Sequence, residues 1–457
     1  MYIVNEQDIS NTVNDFTTLC NYLEQKKPKL SDRKLVLGKN DLFALNKELI
    51  NKKEVSAPNY MQESYPVIDL MFNLAVLGKL YLKTGDEKGK VFLTSTERKV
   101  EFDNLNLFEK YAFLLETFWT LFDFKCIRYD GINGIGDIID GLRKSIAGKE
   151  LRKGAFSKRK DFDSAFSINS VLIHYIGYLG FCSFTLLLPQ KGKTVDRYLD
   201  SIKSITPTNL GINLCNILNV LKIEVWNKPF YDEYGSLMSN TLKDLLNDPD
   251  FEVEDIEDED SADSIEDEDE NQDEAEPMPF YRILMPIFPD DALNGTVTAD
   301  VRKSIKGNYI FKVSLEKTVW RMISIGFNHS LDDLHLAIQD AFDFDNDHLY
   351  SFFMDGKRYS RDRYESPNCE DGPYADEAII GELGLYTGQK ILYLFDYGDS
   401  WEFEVQLLKI NEGEEPVKQP QIIDSKGEAP EQYPSWDDED EDEDEEPEED
   451  DEVEGNG

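Results

Sequence analysis

Residues 320–354 read WRMISIGFNHSLDDLHLAIQDAFDFDNDHLYSFFM, and residues 391–408 read ILYLFDYGDSWEFEVQLL. Residues 309–315 and 319–326 alternate apolar and polar positions, the period of a half-buried strand. Ser330 stands where a helix N-cap belongs: its hydroxyl can accept from the first free amides, and Asp332 and Asp333 suit the positive end. In the helix that follows, Leu331, Leu334, Ile338, Ala341 and Phe342 form one apolar stripe, with His335 at its border. Residues 348–354 read as a third strand, with His348, Tyr350, Phe352 and Met354 on one face. Residues 391–397 and 401–408 read as a hairpin turning at Gly398-Asp399, where positive φ is tolerated. Ile391, Tyr393, Phe395 and Tyr397 share a face of its first strand; Trp401, Phe403, Val405 and Leu407 share a face of its second. Two strands, a helix, a strand and a hairpin predict a small β-grasp-like α+β domain, a sheet with one packed helix.

The motifs in this region, in order, are Trp320-Arg321, Leu331/Leu334-His335/Ile338-Gln339, His348-Leu349-Tyr350/Phe352 and Tyr393/Asp396-Tyr397-Gly398-Asp399/Trp401. Together they resemble the plasmid pRi open-reading-frame-three-like family, also met as a TnpR-like passenger protein of insertion elements. The resemblance covers about residues 305–410. It implies a bacterial α+β domain associated with plasmids or mobile elements, with no established chemistry. Two departures tell against a metal site. Where members often carry a His two residues after the motif Trp, this chain has Phe403, and where many have a Cys- and Pro-rich tail it has KGEAPEQYPSW. The residues carry no serine-recombinase signature to match the TnpR-like label.

The net charge of −44 is unevenly spread. Residues 250–276 hold 17 acidic residues and residues 437–454 hold 16, with no Lys or Arg in either run. These runs read as an acidic disordered linker (246–277) and an acidic disordered tail (413–457), self-repelling and poor in apolar residues. The remainder is only mildly acidic, which excludes a uniformly basic nucleic-acid binder but not a local basic patch. Cys20, Cys126, Cys182, Cys215 and Cys369 are scattered, odd in number and without a C-x-x-C, as in a cytoplasmic protein with buried thiols. No basic start with an apolar run opens the chain, and the uncharged stretch 171–188 reads as a buried helix running into a strand. The expected location is cytoplasmic, with no membrane association.

Residues 1–245 read as a mainly helical domain ahead of the linker, with the Orf-like domain at 278–412. Within the first domain a helix ending at Gly78 is followed by strand, turn and strand, then a long apolar helix over 104–122. A similar order recurs after Gly180: LAVLGKLYL against IGYLGFCSF, then FLTSTER against SITPTNLG, a weak internal repeat. Helix, strand, turn, strand is the order of a winged helix, which reads either as two winged-helix-like units at about 40–125 and 165–225 or as a plain helical domain with two hairpins.

Two constellations are candidates for function. Between the repeats lies RKSIAGKELRKGAFSKRK, whose Arg143, Lys144, Lys149, Arg152, Lys153, Lys158, Arg159 and Lys160 are candidate nucleic-acid contacts. In the C-terminal domain the candidate cluster is His335, Gln339, His348, Asp396, Asp399 and Trp401. Convergence of His335, His348 and Asp396 would make a metal or acid–base site; a hydrogen-bonded semi-core His335 is the plainer reading. No nucleophile elbow, P-loop, dinucleotide fingerprint or H-E-x-x-H occurs, so no cofactor is expected. The sequence points to a non-enzymatic binding or interaction module, with a protein partner and nucleic-acid contact by the basic stretch of the N-terminal half. The alternative is a metal-dependent enzyme built on the His/Asp cluster.

Overall fold

The computed structural model describes residues 2–86, 90–124, 131–152, 170–186, 202–220, 223–229, 279–299, 304–360 and 362–433. The expected acidic linker, and the acidic run at 437–454, lie outside them. The chain divides into two compact units, residues 1–303 and 304–457. Its make-up is α+β, as expected.

The first unit is mainly helical. Its helices are α1 (Glu6–Lys26), α2 (Lys39–Glu48), α3 (Pro66–Leu77), α4 (Glu97–Asn104), α5 (Leu107–Leu121), α6 (Gly131–Arg143), α7 (Ser170–Tyr178), α8 (Asn209–Val220), α9 (Ile223–Trp226) and α10 (Phe280–Leu284). Strands β1 (Tyr81–Gly85) and β2 (Val91–Ser95) form one hairpin; β3 (Leu151–Arg152), β4 (Cys182–Leu186) and β5 (Ile202–Pro207) form a second sheet in the order β3-β5-β4. The apolar stretch 171–188 is split between α7 and β4, and among the described residues no helix is long and apolar enough to cross a membrane. The long helix expected over 104–122 is α5, which starts three residues later than expected, at Leu107. Asn106 caps α5, accepting from the amides of Phe108 and Glu109 while Glu109 accepts from the Asn106 amide, so α4 and α5 are separate.

The internal repeat is visible in hydrogen bonds. The Leu80 amide donates to Ala75 and the Phe181 amide to Ile176, closing α3 and α7 in the same way. Thr96 donates its hydroxyl to Lys79 and Leu80 and its amide to Leu80; Thr208 does the same to Gly180 and Phe181. Each Thr sits directly before the next helix, α4 or α8. The two helices are tied together where Tyr175 of α7 donates to Asp69 of α3 at 2.8 Å. The glycines do different work. Gly78 has ordinary helical φ and the left-handed residue is Lys79; a Cβ on Gly78 would lie 2.8 Å from the Phe113 ring. Gly180 itself takes φ +88°.

Residues 279–299 pack on this unit rather than opening the C-terminal one. Ile287 accepts from the Val4 amide, Glu109 accepts from the Asn294 amide, and Glu101 accepts from the amides of Thr298 and Ala299. The second unit therefore begins at Ser304, not at 278.

The second unit is a seven-stranded sheet with one long helix. Strands β6 (Gly307–Ser314), β7 (Trp320–Gly326), β8 (Tyr350–Phe353), β9 (Arg363–Glu365), β10 (Lys390–Phe395), β11 (Trp401–Glu412) and β12 (Gln421–Lys426) lie in the order β12-β7-β6-β11-β10-β8-β9, every neighbouring pair antiparallel. Helix α11 (Leu331–Phe342) carries the expected cap: Ser330 accepts from the Asp333 amide and Asp333 accepts from the Ser330 amide. Its stripe Leu331, Leu334, Ile338, Ala341 and Phe342 is buried against Phe311, Ile323, Phe352, Tyr393, Phe403 and Val405. Two expectations change. Residues 413–433 are not all tail, because β12 pairs with β7. The hairpin turn spans 396–400, with positive φ at Asp396 and Ser400 rather than at Gly398-Asp399.

One buried carboxyl makes the first unit sensitive to pH. Burial pushes Glu116 of α5 up to about 7, with Arg98 opposing, and its Oε2 has no hydrogen-bond partner among the described residues. The folded state holds this proton more tightly than the unfolded chain, whose ordinary value is 4.5. The stability it contributes is present below that value and lost as pH rises through about 7. Glu116→Gln should flatten this slope. Urea unfolding of both proteins from pH 4.5 to 7.5 should show wild type losing up to about 3 kcal/mol relative to the variant; parallel curves would refute the assignment.

Candidate functional site

The expected cluster divides into a buried joint and an open cleft. The joint lies between α11 and the sheet. Its centre is the phenol of Tyr393, which is 0% exposed. Tyr393 donates to Nδ1 of His335 at 2.6 Å and accepts from Nε2 of Gln339 at 2.7 Å. His335 Nε2 in turn donates to Oδ1 of Asn346 at 2.8 Å, which fixes the neutral tautomer. The imidazole stacks on Tyr350, centroids 3.8 Å apart and planes 14° from parallel. Tyr350 donates its hydroxyl to Asp332. Burial pushes His335 down to about 4, against opposing contributions from Asn346 and Asp332. Both ring nitrogens are engaged, so His335 has none left for a metal.

Arg321 makes a second joint. Its Nε donates to the Ala341 carbonyl in the last turn of α11, and Nη1 donates to the carbonyls of Trp320, Lys426 and Gly427. Its guanidinium lies 4.7 Å over the Phe342 ring. One side chain thus neutralises the negative end of the helix and fastens the end of β12.

Asp396 is also spent on structure. Its Oδ1 accepts from the amides of Gly398 and Asp399, an Asx turn that shapes the β10–β11 hairpin. Its Oδ2 lies 3.5 Å from Nε2 of His348, which is 3.9 Å from Asp347. Thus His348 and Asp396 meet, while His335 is held by Tyr393 and Asn346 as in the plainer reading, and the convergence that the alternative requires is replaced by a pair. Asp399 is exposed, and Trp401 packs edge-on against Phe344 at 4.9 Å. Among the described residues no group of three or more His, Cys, Asp or Glu is placed to hold a metal ion.

The open part is a cleft of about 540 Å³ lined by Asp332, His335, Leu336, Asn346, Asp347, His348, Leu349, Tyr350, Ser366, Pro367, Asn368 and Asp376. It contains three carboxylates and no Lys or Arg. Leu336 and Leu349 are 47% and 37% exposed, so the lining offers apolar contact as well as charge. Sequence reading found His335 and His348 but missed the carboxylates. They come from α11, the α11–β8 loop and the loop after β9, and no spacing signals that these loops meet.

One rim of the cleft is held by the chain beyond β12. Gln432 accepts from the Asp345 amide at 2.5 Å and donates to the Asp345 carbonyl at 3.2 Å. Tyr433 donates to the Asp347 carboxylate at 2.9 Å. The segment called tail in the sequence reading therefore ends, in its described part, on a residue of the cleft.

The basic stretch in the first unit gives less. Arg143 and Lys144 both pair with Asp140, and Arg152 pairs with Glu150 at 2.8 Å. Lys149 lies on the surface, and Lys153, Lys158, Arg159 and Lys160 lie outside the described residues. Helices α3 and α7 carry no Lys or Arg and are largely buried.

Residues 308–433 match the model of the plasmid pRiA4b ORF-3-like protein family. The match runs past 410, where the resemblance was expected to end, and takes in β12 and Tyr433. A solved structure titled as a protein of unknown function, MM3350 from Methanosarcina mazei Go1, is 26% identical, covering 27% of this chain and 72% of that one, with a TM-score of 0.23. No curated protein matches the chain.

The His335 assignment is directly testable. A base held below its ordinary value of 6.5 favours the folded state most at higher pH, and that stability is lost as pH falls through about 4. The loss should reach about 3 kcal/mol. In NMR titration of the imidazole carbons the His335 signal should stay at its neutral position from pH 8 to pH 5; a midpoint near 6.5 would refute the buried joint.

Proposed function

We propose that this protein is a non-enzymatic binding module whose C-terminal unit receives part of a protein partner in the cleft beside α11. The observation that carries the reading is the division of labour among the motif residues. His335, Gln339, Tyr393 and Arg321 are consumed by hydrogen bonds that hold the helix to the sheet. Leu336 and Leu349 face the cleft and remain exposed, and exposed apolar side chains gathered in a concavity mark an interaction surface. The plasmid or mobile-element setting rests on the C-terminal match. The recurrent N-terminal order is read as winged-helix-like, with nucleic-acid contact through the basic stretch between the repeats and a cytoplasmic location.

The metal-dependent alternative would use His335, His348 and Asp396, and the sealed ring of His335 weighs against it. The full-length protein should be compared with a Leu336→Arg variant, which fills the cleft from an exposed position. Wild type should retain a partner from host extract that the variant loses, and neither protein should carry stoichiometric metal by elemental analysis. Identical retained proteins in both, or one bound transition metal per chain that supports turnover, would overturn the reading.

A further inference from the structure

We infer that residues 427–433, the strap that follows β12, form a releasable latch on the cleft. Closed, the latch holds residues 345–348 as one wall; open, it frees Asp347 for an occupant and loosens the buried joint at His335. The inference goes beyond the binding reading above, because it concerns how the wall is held whether or not a protein occupies the cleft. The strap is fastened at its two ends. Gly427 ends β12 with φ +77°, a conformation that suits glycine, and its carbonyl accepts from Nη1 of Arg321 at 3.1 Å. At the far end Gln432 is 8% exposed. Its Oε1 accepts from the Asp345 amide at 2.5 Å, and its Nε2 donates to the Asp345 carbonyl at 3.2 Å and to the Tyr433 hydroxyl at 2.9 Å. That hydroxyl donates to the Asp347 carboxylate, 2.9 Å from either oxygen. Between the ends Glu428, Pro430 and Glu431 are exposed, and Ala429 packs against the core. A segment held by a few hydrogen bonds and little apolar burial opens locally without unfolding the rest.

Position makes this end a latch. Asp345 and Asp347, the two residues it grips, flank Asn346, whose Oδ1 accepts from Nε2 of His335 at 2.8 Å. Release of the strap therefore loosens the backbone that aims Asn346, and an event at the surface reaches the buried imidazole in one step. The movement is confined to a short stretch. Before it the Phe344 amide donates to the Gln339 carbonyl, and after it the Leu349 carbonyl accepts from the Asp396 amide. Asp347 lines the cleft, and in the closed latch its carboxylate is taken by Tyr433. An occupant that engages Asp347 displaces Tyr433, so occupancy and opening are coupled through one carboxylate.

The test is hydrogen exchange of the full-length chain with no partner added, for wild type and three variants. Gln432→Ala and Tyr433→Phe each remove a grip, and each should speed exchange of the amides of residues 345–348 by about tenfold. Pro430→Gly, at an exposed position, favours the open strap through chain entropy alone and should speed the same amides by about threefold. The Nε2–H of His335, followed as an imidazole proton by NMR, should exchange faster in the two grip variants. Amides of β10 and β11 should keep their wild-type rates throughout. Wild-type rates at 345–348 in the grip variants would mean that the strap holds nothing, and acceleration of β10 and β11 as well would make it a part of the global fold; either result overturns the inference. So would a faster wall with an unchanged His335 proton, which would uncouple the latch from the joint, or a Pro430→Gly variant indistinguishable from wild type, which would show that the strap does not open as a unit. Retention of a partner by wild type and its loss in Leu336→Arg are independent of all these outcomes.

Discussion

A single phenol holds the C-terminal unit together. Tyr393 lies on a central strand with no exposed surface, donating to His335 and accepting from Gln339. Both partners sit on α11, one turn apart. A buried hydroxyl without partners costs several kcal/mol in an apolar setting, so the helix can rest on the sheet only where these groups meet. Arg321 imposes a second constraint at the C-terminal end of the helix, through Ala341 and the turn after β12. At the N-terminal end the Leu331 and Asp332 amides donate to Ala378 and Ala375, so α11 is held at both ends. The cleft, built from the first turns of α11 and the loops around it, inherits that rigidity.

This gives the family motif a physical meaning. Trp320-Arg321, His335, Gln339, Tyr350 and Tyr393 were candidates for chemistry because polar residues were spaced regularly among apolar ones. In the structure Tyr393 bonds His335 and Gln339, Tyr350 stacks on His335, and Arg321 donates to backbone carbonyls, while Gln339 Oε1 has no partner among the described residues. Of the groups that line the cleft, Asp376, Asn368 and Leu336 lie outside the motifs, while His348 and Leu349 belong to them.

Much of the architecture was legible because it follows from local rules. Alternation gave β6, β7, β10 and β11, and Ser330 with Asp333 gave the start of α11. The helical stripe gave its buried face. What escaped depends on distant contacts. QIIDSK of β12 is fully exposed on its strand and shows no alternation, so it read as tail; its partner is β7, about a hundred residues earlier. His335 looked like a border residue, and only Tyr393 and Tyr350 reveal why it is buried. Asp396 takes positive φ where its own side chain bonds the amides of Gly398 and Asp399, a local cause that Gly398 obscured. In the first unit the repeat was readable as a faint similarity, and the paired Thr96 and Thr208 bonds make it concrete. The order of helix and two strands was legible, while the burial of α3 and α7 reflects their packing on each other, which no single window of sequence shows.

The account depends on the claim that the motif residues are structural, and one thermodynamic cycle tests it most directly. Stability of the C-terminal unit should be measured for wild type, Gln339→Leu, Tyr393→Phe and the double variant. Residues sharing a buried hydrogen bond should couple by at least about 1 kcal/mol, the double variant being less destabilised than the sum of the singles. Additivity to within about 0.3 kcal/mol would mean that the two residues do not act as one joint, and would contradict the account.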